Sequence, residues 1–215
     1  MKKMLTAVAL VCAALATPYT ATAQFSLPNL GALKAVGGSG GGGDLSGQQT
    51  SLVKNFVAAN VDVLKANAKM SEALGLKATA ADAEAVAQQL SSGSTYDKDS
   101  ASKAATAVGD TGGAIAAKLA EKPTLDAESK AIYAQGLLSL AKGVAKYTGL
   151  GKDVSAMGNG LKSAPLTQLP SMGAATYVVT QFPGSASEVV KALGNAVDFA
   201  KSNGIEVPTE ATSLL

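Results

Sequence analysis

Short patterns that could support catalysis or binding occur at several places in the chain, but each lacks the residues that would complete it. Asp110-Thr111-Gly112 is the triplet found around the catalytic aspartate of aspartic proteases. Those enzymes need two such aspartates, facing each other and sharing one proton. Here the triplet occurs once, within an alanine-rich pattern of helical spacing, so we interpret it as part of a helix.

Two glycine-containing patterns suggest nucleotide binding but lack its context. Gly38, Gly40 and Gly43 have the spacing of a dinucleotide-binding loop, yet no strand precedes them and no alternation of strands and helices follows. Gly151-Lys152-Asp153 lacks the Ser or Thr and the earlier glycine of a phosphate-binding loop. We interpret the first pattern as a linker and expect no nucleotide cofactor.

The patterns for metal binding and for histidine-independent catalysis are equally incomplete. Asp97-Lys98-Asp99 begins like a calcium loop, but Ala101 stands at the third ligand position and no glycine follows at the turn. We interpret both aspartates as helix caps and expect no metal site. A Ser–Lys pair can act without histidine, but serines and lysines are common here and no local spacing selects a pair.

The residue types that are missing exclude more chemistry than any motif indicates. All 18 basic residues are lysines, and the chain has no histidine, arginine or tryptophan. Without arginine there is no planar fork for bidentate contacts to carboxylate or phosphate. Histidine is the commonest general base and metal ligand. We therefore predict a non-catalytic protein without a cofactor.

Five polar residues in apolar helical surroundings are our candidate ligand-binding residues. Asn60 and Asn67 lie one heptad apart within the apolar face of a predicted helix. They either fix the register of the helices, as buried asparagines can do, or line a polar notch that orients a ligand. The same two interpretations apply to Tyr133, Tyr147 and Tyr177, since tyrosines in a helical core are usually structural.

The first residues are typical of an export signal. Lys2 and Lys3 precede an apolar stretch from Leu5 to Leu15, and Ala21-Thr22-Ala23 supplies the small residues that signal peptidase requires. We predict that residues 1–23 are cleaved as a signal peptide and that the protein is periplasmic or secreted.

Cleavage after Ala23 changes the charge of the chain. It removes two lysines and the single cysteine, which leaves 16 lysines against 16 acidic residues. Because no basic field remains, we expect no nucleic-acid partner, and no later stretch is apolar enough to predict a transmembrane segment. Residues 24–44 are predicted as an apolar arm with a glycine-rich linker. The arm either folds back onto the rest of the protein or docks on a membrane or a partner.

The element around which the fold is organised is a helix predicted over residues 45–74. Two adjacent apolar stripes give it an arc wide enough to pack against two neighbours. At ~1.5 Å per residue it would be roughly 45 Å long, and we expect it to be the longest helix. The stripes consist of Leu45, Leu52, Phe56, Ala59, Val63, Ala66, Met70 and Ala73, and of Val53, Val57, Leu64 and Leu74.

Further helices are predicted by apolar spacing and capping residues. A short helix begins near Thr79–Asp82 and ends by Gly93, and a third runs from Asp97 or Asp99 to about Glu121. The third helix has a seam of mostly small residues at alternating steps of four and three, which would allow close contact with a neighbour: Ala101, Ala105, Val108, Gly112, Ile115 and Leu119. Gly109 and Gly113 would extend that contact, at the risk of a kink between them.

The second half of the chain predicts at least two more helices. Thr124 caps a fourth helix, which ends at Gly149, and a capping box at Ser185–Glu188 opens the last, which ends at Asn203-Gly204. Residues 152–163 form a weak helix at best. Residues 172–182 have the composition of a strand, but we predict a buried helix, because a lone strand cannot satisfy its backbone.

Together these elements predict an all-α, antiparallel bundle of about five to six helices over residues 45–204, followed by a tail, residues 205–215. The third and fourth helices should form an antiparallel hairpin, because a short connection containing Pro123 joins them.

The function expected of such a protein is that of an interaction or scaffold module of the bacterial cell envelope, with an envelope protein as its partner. The alternative is a carrier of an apolar small molecule or lipid between the helices, where Gly112, Gly136 and Gly143 would leave room. The sequence does not identify the partner, the ligand or the oligomeric state.

Overall fold

The computed structural model describes residues 45–215, and the predicted all-α bundle is confirmed for them, with no β-strand in this range. None of the helices in this range is long and apolar enough to cross a membrane. The predicted signal peptide, arm and linker lie outside the described residues. The helices are α1 (Leu45–Ala73), α2 (Lys77–Ser92), α3 (Lys98–Ala120), α4 (Ala127–Ser163), a 3-10 turn (Leu169–Met172), α5 (Gly173–Ser202) and α6 (Thr209–Thr212).

Helix α1 is the central element, as predicted, and it contacts α2, α3, α4 and α5. Every residue of the two predicted apolar stripes is buried except Leu45, which is half-buried. On the face of α1 opposite the stripes, Lys54, Lys65 and Glu72 are exposed, while Asp62 and Lys69 are half-buried. Gly75 ends α1 with a φ of +76°, a left-handed conformation that favours glycine.

The contacts between α1 and α4 show that these helices are antiparallel. Gly136 of α4 lies against Met70, Gly143 against Val63, and Gly160 against Leu45, so α4 descends as α1 ascends. Helix α5 packs against α4 in the opposite sense, because Tyr133 contacts Phe199 whereas Tyr147 contacts Phe182.

The predicted hairpin of α3 and α4 is wrong. Both helices pack against α1 and α5, but they make almost no contact with each other. The physical reason is the difference between their faces. The large side chains of α4, including Tyr133, Leu137, Leu140 and Tyr147, fill the space beside α1, whereas the small residues of α3 pack on a different side of it.

Helix α4 does not end at Gly149, and α1 is not the longest helix. Helix α4 has 37 residues and α1 has 29. Residues 152–163, predicted to be a weak helix at best, continue α4, because Leu150, Val154 and Met157 extend its buried face. Burial of these side chains outweighs the loss of about 1 kcal/mol expected for each interior glycine. The start also differs from the prediction, because Asp126 and not Thr124 caps the helix.

Helix α5 likewise joins two segments that the sequence separates. Residues 173–182 are helical, as predicted, but the helix does not start again at Ser185 and passes through Pro183. Proline removes one hydrogen bond from a helix interior. Pro183 is exposed, so its ring lies on the solvent side, and the buried residues Ala175, Val178, Val189 and Leu193 hold the helix on both sides of it.

The tail packs on the bundle. Ile205 and Ala211 are buried, Val207 and Pro208 are half-buried, and Leu215 is exposed. Helix α6 contacts α4 and the end of α5.

Candidate functional site

Asn60 and Tyr147 form a closed polar contact at the centre of the α1–α4 interface. The Tyr147 hydroxyl donates to Oδ1 of Asn60 at 2.7 Å, and Nδ2 of Asn60 donates to the Phe56 carbonyl at 2.8 Å. Burial raises the pKa of Tyr147, so the phenol stays protonated and remains a donor. These bonds involve both polar atoms of the Asn60 side chain, and they fix the axial position of α4 against α1.

Tyr133 forms a similar contact between α4 and α5. Its hydroxyl donates to the Ala196 carbonyl at 3.3 Å, and its ring lies 5.2 Å from that of Phe199. Burial also raises the pKa of Tyr133. Tyr177, by contrast, is half-buried at the edge of the core. The five predicted residues therefore do not converge on one cavity within the described part of the chain.

Asn67 has a different environment from Asn60. It is only 3% exposed, and its Nδ2 donates to Oγ1 of Thr111 at 2.8 Å, while the Thr111 hydroxyl donates to the Ala107 carbonyl at 2.7 Å. No described residue donates to Oδ1 of Asn67. The central residue of the Asp110-Thr111-Gly112 triplet is therefore a link between α1 and α3, while Asp110 itself is exposed.

Asn67 lies at the bottom of a groove between α3 and α5, which we call the α3–α5 groove. Its first section has a volume of about 400 Å³ and its second about 640 Å³. The two sections share Ala116 and Asn195, so they form one continuous depression along the bundle. Val63 and Asn67 of α1 form the floor of the first section, and Glu188 and Lys191 lie along its α5 side.

Glycine makes the α3 side of this groove shallow. Gly109 and Gly113 line the groove, and a Cβ atom added to either would meet no atom within 4 Å. The expectation that they extend a close contact with a neighbouring helix is therefore wrong for the described chain. Helix α3 is continuous across them, so the glycines do not break it.

The room expected at Gly136 and Gly143 is filled, whereas Gly112 lines the first section of the groove. A Cβ at Gly136 would lie 2.7 Å from Cγ of Met70, and a Cβ at Gly143 would lie 2.7 Å from Cγ2 of Val63. A smaller depression beside the groove, between α1, α3 and α5 at Gly112, measures about 20 Å³. A lipid chain does not fit there.

The carboxyl groups with shifted pKa values are helix caps. A hydrogen bond from the Ser100 backbone holds the pKa of Asp97 below its ordinary value, and the Ser129 backbone does the same for Asp126. Asp97 is one of the two aspartates predicted to cap, and Ser100 completes its capping box. Within residues 45–215 no three His, Cys, Asp or Glu side chains cluster as a metal site would require.

The sequence contained a signal for the groove that the apolar pattern alone does not show. Beside the seam predicted from the sequence, α3 carries a second set of positions with the same alternation of four and three steps, occupied only by small, uncharged residues. We call this set the small-residue seam; it consists of Ser102, Thr106, Gly109, Gly113, Ala116 and Ala120, all exposed except the half-buried Ser102.

Comparison with known proteins leaves the site to be interpreted from its own geometry, because no family model, curated protein or solved structure matches the chain.

Proposed function

We propose that the protein is a non-catalytic interaction module of the bacterial cell envelope that receives an α-helix of a protein partner in the α3–α5 groove. The observation that carries the proposal is the surrounding of Gly109 and Gly113. Each glycine in a helix interior is unfavourable by about 0.8–1.0 kcal/mol relative to alanine. The described chain gains no packing from their lack of a side chain, since an added Cβ would meet nothing.

A helix is the ligand that such a surface fits best. Small residues at steps of four and three form a shallow channel in which a second helix backbone can approach closely, and helix-in-groove binding uses this geometry. Oδ1 of Asn67 supplies an acceptor in the floor, and a partner with a donor side chain would satisfy it.

The alternative function, carriage of an apolar ligand, has weaker support. It requires an enclosed apolar space. At the α1–α4 interface, the side chains of Met70 and Val63 occupy the space beside the glycines. The larger depressions among the described residues are grooves open to solvent.

The groove proposal is tested by site-specific photo-cross-linking in living cells. A photoreactive side chain at Ala116, in the groove, should give one adduct of defined mass. The same side chain at Ala145, an exposed alanine of α4, is the matched control. Adducts that are the same at both positions, or no adduct at Ala116, would count against the groove. Lipid retained in native mass spectra would favour carriage instead.

The envelope location is tested separately. It rests on the lysines, the apolar stretch and the small residues of positions 1–23. The intact mass of the chain recovered from the periplasm or the medium should correspond to a start at Gln24. An unprocessed chain retained in the cytoplasm would overturn this part of the proposal.

A further inference from the structure

We propose that the helix received by the α3–α5 groove carries a serine or threonine whose hydroxyl donates a hydrogen bond to Oδ1 of Asn67. The inference rests on the proposed function, because it names the side chain by which the same groove selects its partner. It is carried by the Asn67 side chain, whose oxygen is an acceptor that the described chain does not use.

The contacts of Asn67 decide which atom of its carboxamide group is free. The Thr111 hydroxyl donates its only proton to the Ala107 carbonyl at 2.7 Å. It therefore meets Asn67 as an acceptor, and the atom that donates to it, at 2.8 Å, is Nδ2. The opposite orientation of the amide would place two acceptors against each other. Oδ1 is thus the atom without a partner among the described residues.

This oxygen is accessible from the groove. Asn67 is only 3% exposed, and it lines the first section of the groove. Within residues 45–215, the Ser71 hydroxyl is the only side-chain group that is both sealed from solvent and without a hydrogen-bond partner. The Asn67 oxygen is unbonded but not sealed, so its small exposed area opens into the groove.

Small residues on both sides of the groove leave the oxygen within reach of a partner. A Cβ added to Gly112 would lie 4.0 Å from Nδ2 of Asn67, and Ala192 of α5 lines the same section. Gly109 and Gly113 have open space where a side chain would be. A second helix can therefore approach closely at the level of the acceptor, where a short side chain suffices to reach it.

The surroundings of Asn67 favour a single, neutral donor. A helix seated over Asn67 excludes solvent from Oδ1, and an apolar side chain there would leave a buried acceptor unpaired. A lysine would bring a charge and three donors to one acceptor beside Val63 and Val189. The only carboxylate of this section, Glu188, is exposed and is accompanied by Lys191 of opposite sign, so the section has no net charge to attract a cation. A hydroxyl brings one donor to one acceptor.

The hydroxyl is tested with two fluorescein-labelled, alanine-based helical peptides of about 20 residues that differ at one central residue. One carries threonine, and the other carries valine, which has nearly the same shape without the hydroxyl. Fluorescence anisotropy measures their dissociation constants for the chain that begins at Gln24. We expect the threonine peptide to bind about tenfold more tightly, because valine leaves Oδ1 of Asn67 unpaired. Equal constants, or tighter binding of the valine peptide, would overturn the proposal.

Exchanges in the protein locate the effect. Asn67→Leu removes the acceptor and should reduce the preference for threonine to below about twofold. Ala116→Glu should weaken the binding of both peptides about tenfold, because a longer, charged side chain fills the groove. Ala145→Glu on α4 is the matched control and should leave both constants unchanged. Circular dichroism melting checks that each variant is folded, and the two peptides on the native chain decide the question if Asn67→Leu does not fold.

The outcomes separate this inference from the proposed function. Equal binding of the two peptides that Ala116→Glu abolishes would refute the hydroxyl contact and leave the function of the groove intact. An unchanged preference for threonine in folded Asn67→Leu would assign the contact to another residue and contradict the inference. Failure of both peptides to bind up to millimolar concentration would overturn it as well. The same failure together with no adduct at Ala116 in cells would refute the groove itself.

Discussion

Helices α3 and α4 each carry a pair of glycines, and the two pairs have opposite surroundings. Gly136 and Gly143 of α4 are buried, and Met70 and Val63 of α1 occupy the space beside them. Gly109 and Gly113 of α3 are exposed, with open space where a side chain would be. One pair is explained by packing within the described chain and the other is not.

The two asparagines of α1 repeat this difference. Asn60 faces α4, and both its polar atoms are hydrogen-bonded. Asn67 faces α3 and the groove, and only its Nδ2 is bonded to a described residue. At the α1–α4 interface, the glycines and the asparagine make their contacts within the described chain: glycine allows close packing, and asparagine fixes the register of the two helices. The α3–α5 side has the same residue types without the contacts that would use them.

The largest expected effect comes from adding a side chain at one of the buried glycines of α4. Gly136→Val should destabilise the protein by about 3 kcal/mol, because the new side chain meets the backbone of Met70 and Ala66 as well as a flexible side chain. Chemical denaturation measures the change. Gly149→Val, at an exposed glycine of the same helix with nothing within 4 Å, is the control and should cost little. Equal losses for the two variants would remove the distinction between closed and open glycines.

The next effect compares the two asparagines. Tyr147→Phe removes the donor to Asn60 and leaves a buried oxygen unpaired, which should lower the free energy of unfolding by about 2 kcal/mol. Thr111→Val removes the partner of Asn67 and should cost less, because Asn67 lines a groove that water can enter. Tyr177→Phe, at a half-buried position, is the control and should be close to neutral. A larger loss for Thr111→Val than for Tyr147→Phe would contradict the comparison.

The sequence was sufficient to predict the central helix and the fold class, because both depend on a long apolar repeat. The two stripes of α1 leave no other way to bury Phe56, Val57 and Leu64 than at the centre of a bundle. Helix ends are predictable where a local conformation decides them. Gly75 and Gly204 both have the positive φ expected of a helix-ending glycine.

Other helix ends and the choice of neighbours were not predictable, because tertiary packing decides them. Gly149 and Pro183 are local signals for an end, but apolar residues on both sides of them are buried on one continuous face. The short α3–α4 connection suggested a hairpin, but the match between the large residues of α4 and the seam of α1 prevailed.

Of the candidate site, the sequence identified Asn67 but not its difference from Asn60. The two residues lie one heptad apart, and only the neighbouring helices make one of them closed and the other open. The small-residue seam of α3 is visible in the sequence and predicts the groove, because small residues at helical spacing on a solvent-facing side leave room for a second helix.

The third effect is a stabilisation. Gly109→Ala combined with Gly113→Ala should raise the free energy of unfolding of the dilute monomer by about 1.5 kcal/mol, because alanine favours the helix and its Cβ meets nothing. Thermal and chemical denaturation at low protein concentration measure the change. The same exchange at Gly136 and Gly143 serves as the reference and should not stabilise. If the α3 double variant lost stability, the open face would already be packed in the monomer.

The smallest effect concerns the residue that begins the helix of the open face. Asp97 caps the start of α3 and accepts a hydrogen bond from the Ser100 backbone at 2.8 Å. Asp97→Ala should lower the free energy of unfolding by about 1 kcal/mol at neutral pH. Asp97→Asn keeps a capping oxygen without the charge and should cost less.

The pH dependence separates the charge from the cap. Because the pKa of Asp97 in the folded protein is lowered from 3.8, its charged form stabilises the fold above that pH. The contribution is lost as the pH falls from 3.8 through the folded-state pKa. The difference in unfolding free energy between the native chain and Asp97→Asn should therefore be constant at neutral pH and shrink below about pH 4. A difference that stayed constant down to pH 2 would show that Asp97 caps α3 without a contribution from its charge, as a neutral capping residue would.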